Sequence, residues 1–112
     1  MPGQDEFLTN LADEMRAFIA ERGWSDYHTP KNLAMALAGE AGELVAEFQW
    51  LTPEQSLPDQ MSPELREAIE FEMADVLIYL VVLADQMGTS LPDAVRAKMA
   101  KNVVRFPPGQ RP

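Results

Sequence analysis

The chain has 112 residues, no cysteine and a formal net charge of -9, from 9 basic and 18 acidic side chains. That length predicts a single domain over residues 1–112 with a modest core, and the lack of cysteine excludes a disulfide framework or a zinc–thiolate site. The acidic balance argues against binding nucleic-acid polymers or anionic membranes, both of which need a positive surface.

The N-terminal region is polar and acidic without a signal-peptide pattern, so a cytoplasmic location is expected. From about Gln4 to Arg22, the residues Phe7, Leu8, Leu11, Met15, Phe18 and Ile19 keep a helical period, which predicts an amphipathic helix capped by Gly23. Trp24-Ser25-Asp26-Tyr27-His28 reads as an aromatic loop. Thr29-Pro30 then supplies an N-cap and a first-turn proline.

The second helix is expected to run to about Leu51. It is long and apolar, yet it carries Glu40, Glu43 and Glu47. Residues three and four apart share a helix face, so these carboxylates form one stripe. Gly39 and Gly42 beside them each cost the helix about 1 kcal/mol relative to alanine. Close approach by another backbone or a ligand would explain them, and so would tight helix packing.

Residues Thr52 to Met61 read as a loop, after which Ser62-Pro63-Glu64 repeats the cap-and-proline signal. The third helix should reach Met87, with Gly88 as its cap, and it carries Glu72 and Asp75 at i, i+3. A fourth helix starts at Thr89 or Ser90 and stops near Arg105, because Pro107-Pro108 cannot continue it. Its Leu91, Val95 and Met99 form a core-facing stripe, and Lys98, Asn102 and Arg105 share a neighbouring face with Lys101 close by. With no strand-like alternation, the expected fold is all-α, a four-helix bundle-like protomer. From Val76 to Ala84 the third helix is apolar on every face except at Tyr79. That run is too short to span a bilayer, and three other helices cannot surround it well. A homodimer or larger homo-oligomer is therefore expected, with this helix in the interface.

Glu40, Glu43, Glu72 and Asp75 are the candidate metal ligands. Burying a carboxylate without a partner costs on the order of several kcal/mol, so something cationic is expected between the two helices. Hard oxygen ligands suit Mg²⁺, or Mn²⁺ in its place. Di-iron sites of the ferritin kind use Glu-x-x-His pairs, and the single histidine, His28, sits in a loop. Solvated acids on helix faces are the ordinary alternative, cheap for Glu67 and Glu70 but expensive for Glu72 and Asp75 among apolar neighbours. Glu47 extends the stripe as an outer ligand, a water-orienting group or a surface acid.

Arg96, Lys98, Lys101, Arg105 and Arg111 all follow the last acid, Asp93. This cationic tail either faces a metal-bound anion or merely balances charge. The Lys98, Asn102 and Arg105 face would suit phosphates, though a solvated face is the plainer explanation. Trp24 and Trp50, at helix ends, can stack on a nucleobase or close the ends of a small core. No Ser-His-Asp set and no glycine-rich phosphate loop is present, so covalent catalysis is not indicated.

The stretches HTPKNLAMALAGEAGELVAEFQW, ELREAIEFEMADVLIYLVVLAD and LPDAVRAKMAKNVVRFP cover most of residues 24–107. Together they resemble the all-α nucleotide pyrophosphohydrolases related to MazG, in particular the dCTP pyrophosphatase branch. The resemblance implies Mg²⁺-dependent hydrolysis of a nucleoside triphosphate, dCTP or a 5-modified dCTP, to monophosphate and pyrophosphate, a house-cleaning of the nucleotide pool. It places Glu40, Glu43, Glu72 and Asp75 at metal-ligand positions, with Glu40 or Glu43 helping to activate water. It places Trp24 and Trp50 near the nucleobase, and Lys98, Asn102 and Arg105 at phosphate or sugar contacts. It also implies homodimers or homotetramers whose sites draw on more than one subunit. Gly39 stands where the broader family has the first acid of EExxE, which narrows the resemblance to the dCTP branch. Met15 and Phe106 stand where relatives can carry histidine and tyrosine, which leaves the base open. The rivals are the same chemistry on dUTP or an oxidised nucleotide, and a non-enzymatic helical oligomerisation module that binds cations.

Overall fold

Three hydroxyl caps, each followed by a first-turn proline, set where helices begin. Thr29 Oγ1 accepts from the Asn32 amide at 3.3 Å, Ser62 Oγ from Leu65 at 3.1 Å, and Ser90 Oγ from Asp93 at 3.3 Å. Each pays back one of the amides that a helix start leaves without a partner. The structure, a computed structural model, describes residues 2–109, so Arg111 of the cationic tail lies outside it. The helices are α1 (Pro2–Glu21), α2 (Pro30–Phe48), α3 (Pro63–Met87) and α4 (Leu91–Arg105), with no strand among the described residues.

The helix ends follow local chemistry. Gly23 and Gly88 sit at φ +67° and +65°, a left-handed conformation that glycine adopts without steric cost. At the end of α3, the Gly88 and Thr89 amides donate back to Asp85 and Ala84, a Schellman closure. α2 stops at Phe48, three residues before the expected Leu51. Beyond it, the Thr52 amide donates to Gln55 Oε1 at 2.9 Å and the Gln55 amide to Thr52 Oγ1 at 3.2 Å. This reciprocal box fixes a turn that the apolar Trp50 and Leu51 disguise in the sequence. Short 3-10 turns occupy Ser25–Tyr27 and Pro58–Gln60, within stretches expected to be loop.

α2 and α3 form an antiparallel hairpin, and α1 packs on α3. The buried cluster is Ile19, Leu33 and Val82, one from each of these helices, with Met15, Ile78, Tyr79 and Leu83 packed around it. Arg16 ties α1 to the end of α3 through two bonds to Asp85, at 2.8 and 2.9 Å.

Two expectations need correction. The fold is all-α with four helices, but only three of them pack as a bundle. α4 is half-buried at Leu91 and Pro92, while Val95 and Met99, expected to face the core, are 58% and 53% exposed. Nor, among the described residues, does any group beyond the chain neighbours and the helix's own backbone lie within 4 Å of where a Cβ would stand on Gly39 or Gly42, so no close approach by another described element of the protomer explains them. α3 is buried at Val81, Val82 and Ala84 but uncovered at Phe71, Met73 and Leu77. The accessible surface is 8573 Å², against about 6,200 Å² for a compact monomer of this mass. The radius of gyration is 16.9 Å, where about 13 Å is usual. No helix among the described residues is long and apolar enough to cross a membrane.

Candidate metal centre

The hairpin register decides which acids meet. Leu33 of α2 and Val82 of α3 share the core, and an antiparallel pairing continued from there sets Glu40 near Asp75 and Glu43 near Glu72. One carboxylate oxygen from each of Glu40, Glu43 and Glu72 lies within 4.8 Å of the other two. Asp75 stands outside this trio, although its charge acts on both Glu40 and Glu72. Glu47, one turn beyond Glu43, is half-buried and also outside it.

The cluster has no cationic side chain of its own. Among the described residues, no lysine or arginine forms an ion pair with any of the four acids. Oε2 of Glu40 and Oε2 of Glu72 are buried without a hydrogen-bond partner, a costly condition for a carboxylate oxygen. Burial, followed by the charges of Glu43 and Asp75, holds the Glu40 carboxyl above its ordinary range. Burial likewise comes first for Glu72, then the charges of Glu43, Asp75 and Glu40, again raising it. Both effects are those of negative charge crowded in a poorly hydrated place. A divalent ion reverses both, and an all-carboxylate donor set fits Mg²⁺ or Mn²⁺ rather than a softer metal.

The remaining candidates are spread along the protein. Lys98 and Arg105 are exposed on α4, and Asn102 is half-buried with its amide 3.7 Å from Met99 Sδ. None of the three contributes to the electrostatics of Glu40 or Glu72 within one chain. Trp24 packs edge-on against Phe18, with ring centroids 5.7 Å apart. Trp50 follows α2 and is 86% exposed, so it closes no core. The 19 residues of α2 put about 28 Å between its ends. Trp24 precedes that helix and Trp50 follows it.

A feature not anticipated from the sequence is a stack at the end of α1. The Arg22 guanidinium sits 3.5 Å from the centroid of the Phe18 ring, whose ring also meets Trp24. The i, i+4 spacing of Phe18 and Arg22 was the available signal. Nearby, Nδ1 of His28 is buried without a partner.

The chain's relatives bear on this arrangement. A model of the MazG-like family matches residues 36–110, which include all four acids. dCTP pyrophosphatase 1 of Homo sapiens is 49% identical over 90 residues, covering 80% of this chain and 53% of that protein. The chain thus spans about half the length of the mammalian relatives it matches. An uncharacterised protein, YvdC of Bacillus subtilis (strain 168), is 34% identical over 103 residues, covering 88% of this chain and 95% of its own. The crystal structure of a pyrophosphatase from Archaeoglobus fulgidus DSM 4304 superposes with a TM-score of 0.76 at 39% identity, over 90% of this chain and 93% of that one. Acid pairs on a two-helix hairpin, the family match over most of the chain and relatives of similar fold agree: the chain belongs to the MazG-like family.

Proposed function

We propose that this chain is a metal-dependent nucleoside triphosphate pyrophosphohydrolase, a single domain that converts dCTP or a 5-modified dCTP to the monophosphate and pyrophosphate in the cytoplasm. The observation that carries this reading is the trio Glu40, Glu43 and Glu72, with two buried carboxylate oxygens lacking any partner. The naming of several relatives as dCTP pyrophosphatase supports the substrate.

In this reading Glu40, Glu43 and Glu72, with Asp75 beside them, hold Mg²⁺ or Mn²⁺. Such an ion supplies charge neutralisation for the triphosphate and acidifies the attacking water. Water adds to phosphorus, the bridge between the α- and β-phosphates breaks, and pyrophosphate leaves. Glu40 or Glu43 takes up the proton that the water loses. Lys98, Asn102 and Arg105 offset charge on the phosphates, and Trp24 and Trp50 stack on the base.

These groups meet only if the protein assembles. The surface excess over a compact monomer is about 2,400 Å², where a standard interface takes about 800 Å² from each partner. Phe71, Met73 and Leu77 on α3, with Val95, Met99 and Val103 on α4, are among the apolar groups left uncovered. A homodimer or homotetramer covers them, and lets α4 of one copy and tryptophans of different copies reach one acid cluster.

The test is pyrophosphate release from a panel of canonical, 5-substituted and oxidised nucleoside triphosphates, with Mg²⁺ and with EDTA. Metal-dependent release led by dCTP or its 5-substituted forms is expected. Release led by dUTP or an oxidised nucleotide would keep the chemistry and replace the substrate. No release from folded protein would leave a cation-binding oligomerisation module.

A further inference from the structure

A cavity of about 450 Å³ lies away from the acid cluster, between α1, the end of α3 and the start of α4. α1 presents Asp5, Ala12 and Arg16 along one wall, Val81 and Ala84 line the α3 side, and Leu91 belongs to α4. Each of its charged groups has an ionic partner, Arg16 and Asp85 in each other and Asp5 and Asp93 in Arg96, which argues for a structural purpose rather than a ligand. Arg16, through Asp85, fixes the middle of α1 against the last turn of α3. Asp5 lies eleven positions earlier on the same stripe of α1, about three turns away. Its Oδ2 accepts from Arg96 Nη2 at 2.8 Å, and Arg96 is steadied by Asp93 on its own helix at 3.2 Å.

Among the described residues, that is the only side-chain hydrogen bond from α4 to another helix. α4 hangs from α3 on the short connection Gly88-Thr89-Ser90, pivoting at a left-handed glycine, and most of its length is exposed. We propose that Asp5 and Arg96 are positioning residues whose ion pair sets the angle of α4, and with it the placement of Lys98, Asn102 and Arg105. The proposal rests on the reading of those three as phosphate-binding groups. Arg96 stands about 7.5 Å along α4 and Arg105 about 21 Å. A displacement of about 1 Å at Arg96 therefore becomes about 3 Å at Arg105. Both partners are substantially exposed, at 56% and 41% of their side chains, so salt weakens the tie.

The absence of cysteine from these 112 residues makes the angle measurable in the whole chain. Spin labels at Asn10→Cys and Ala100→Cys, in protein diluted with an unlabelled excess, report the α1–α4 distance within one chain. The expected result is a distribution that broadens in Asp5→Asn and in Arg96→Gln. KM for the nucleotide should rise about two- to fivefold, the range open to an exposed pair, with kcat little changed and helix content unchanged. Asp5→Glu should recover most of the loss, the double variant should be no worse than either single one, and high salt should bring wild type towards the variants. An unchanged distance distribution, or a KM that does not follow it, overturns the proposal. Lys98→Ala separates the two readings. If it leaves KM unchanged, the phosphate assignment of α4 falls and takes the proposal with it. If it raises KM while Asp5→Asn does not, the tie alone falls.

Discussion

Glu43 of α2 and Glu72 of α3 bring carboxylate oxygens within 4.8 Å of each other, with no lysine or arginine among the described residues paired to either. Two like charges held this close across a helix interface repel, and the fold keeps them there. A bound divalent ion turns that repulsion into a link between α2 and α3. Mg²⁺ or Mn²⁺ should therefore raise the melting temperature, and Glu72→Gln should abolish most of the rise while the helical circular dichroism persists. Glu43→Ala and Asp75→Ala should each cost at least about 100-fold in turnover, since loss of an outer-shell partner alone costs about 10- to 100-fold. Turnover retained in either variant would remove the metal assignment.

The same crowding gives stability a pH dependence with a definite sign. The carboxyls of Glu40 and Glu72 are held above their ordinary value of 4.5. Between that value and the raised one, the folded protein binds more protons than the unfolded chain, so stability falls as pH rises through the window. Metal-free protein should thus melt at a lower temperature at neutral than at mildly acid pH, and saturating Mg²⁺ should flatten the fall. Asp5 has the opposite sign. The hydrogen bond from Arg96 holds it below 3.8, so its contribution is present above that value and is lost as pH falls through its lowered pKa. Thermal melts in EDTA and in Mg²⁺ across the acid range separate the two.

Trp50 is almost wholly exposed and Trp24 partly packed on Phe18. Nucleotide binding should shift the emission of Trp50 to the blue, and Trp50→Ala should remove that signal. A lost base stack is worth about 1–3 kcal/mol, which predicts a KM increase of about 5- to 150-fold with kcat less affected. Titration of the single-tryptophan variants with a non-hydrolysable triphosphate reads each indole separately. An unchanged Trp50 spectrum at saturation would exclude it from the base site.

The uncovered apolar groups of α3 and α4 should hold copies of the chain together. Met73→Glu or Met99→Glu, each at a residue roughly half exposed in one protomer, should shift sedimentation toward the monomer without loss of helix. Activity should fall with the mass if sites combine groups from different copies. A wild-type monomer with full turnover would refute that arrangement.

Much of this fold is legible in the sequence because its signals are local. Thr29-Pro30 and Ser62-Pro63 announce helix starts, and Gly23 and Gly88 announce ends, through chemistry confined to a few residues. The acid pairs Glu40/Glu43 and Glu72/Asp75 are equally plain, since helical spacing alone puts each pair on one face. What spacing cannot give is the register between two helices, so nothing local says that Glu43 joins Glu40 and Glu72 while Asp75 stands aside. The stripe Leu91, Val95 and Met99 has the same period whether its cover is the chain's own core or another molecule. That is why α4 reads as a fourth bundle helix when it is not packed as one. The end of α2 is hidden for a third reason: Trp50 and Leu51 prolong the apolar pattern, while the reciprocal bonds of Thr52 and Gln55 have already turned the backbone.

The three clustered acids all lie between residues 40 and 72, on two helices that pair with their nearest neighbour in sequence. Such a hairpin has short-range contacts and closes early, and chains generally fold their earlier parts first during synthesis. The negative pocket is thus complete once α2 and α3 have paired, whether or not α4 has found its place. An ion that occupies it would do its first work on that hairpin, as a clasp on the folding chain, before any nucleotide is bound.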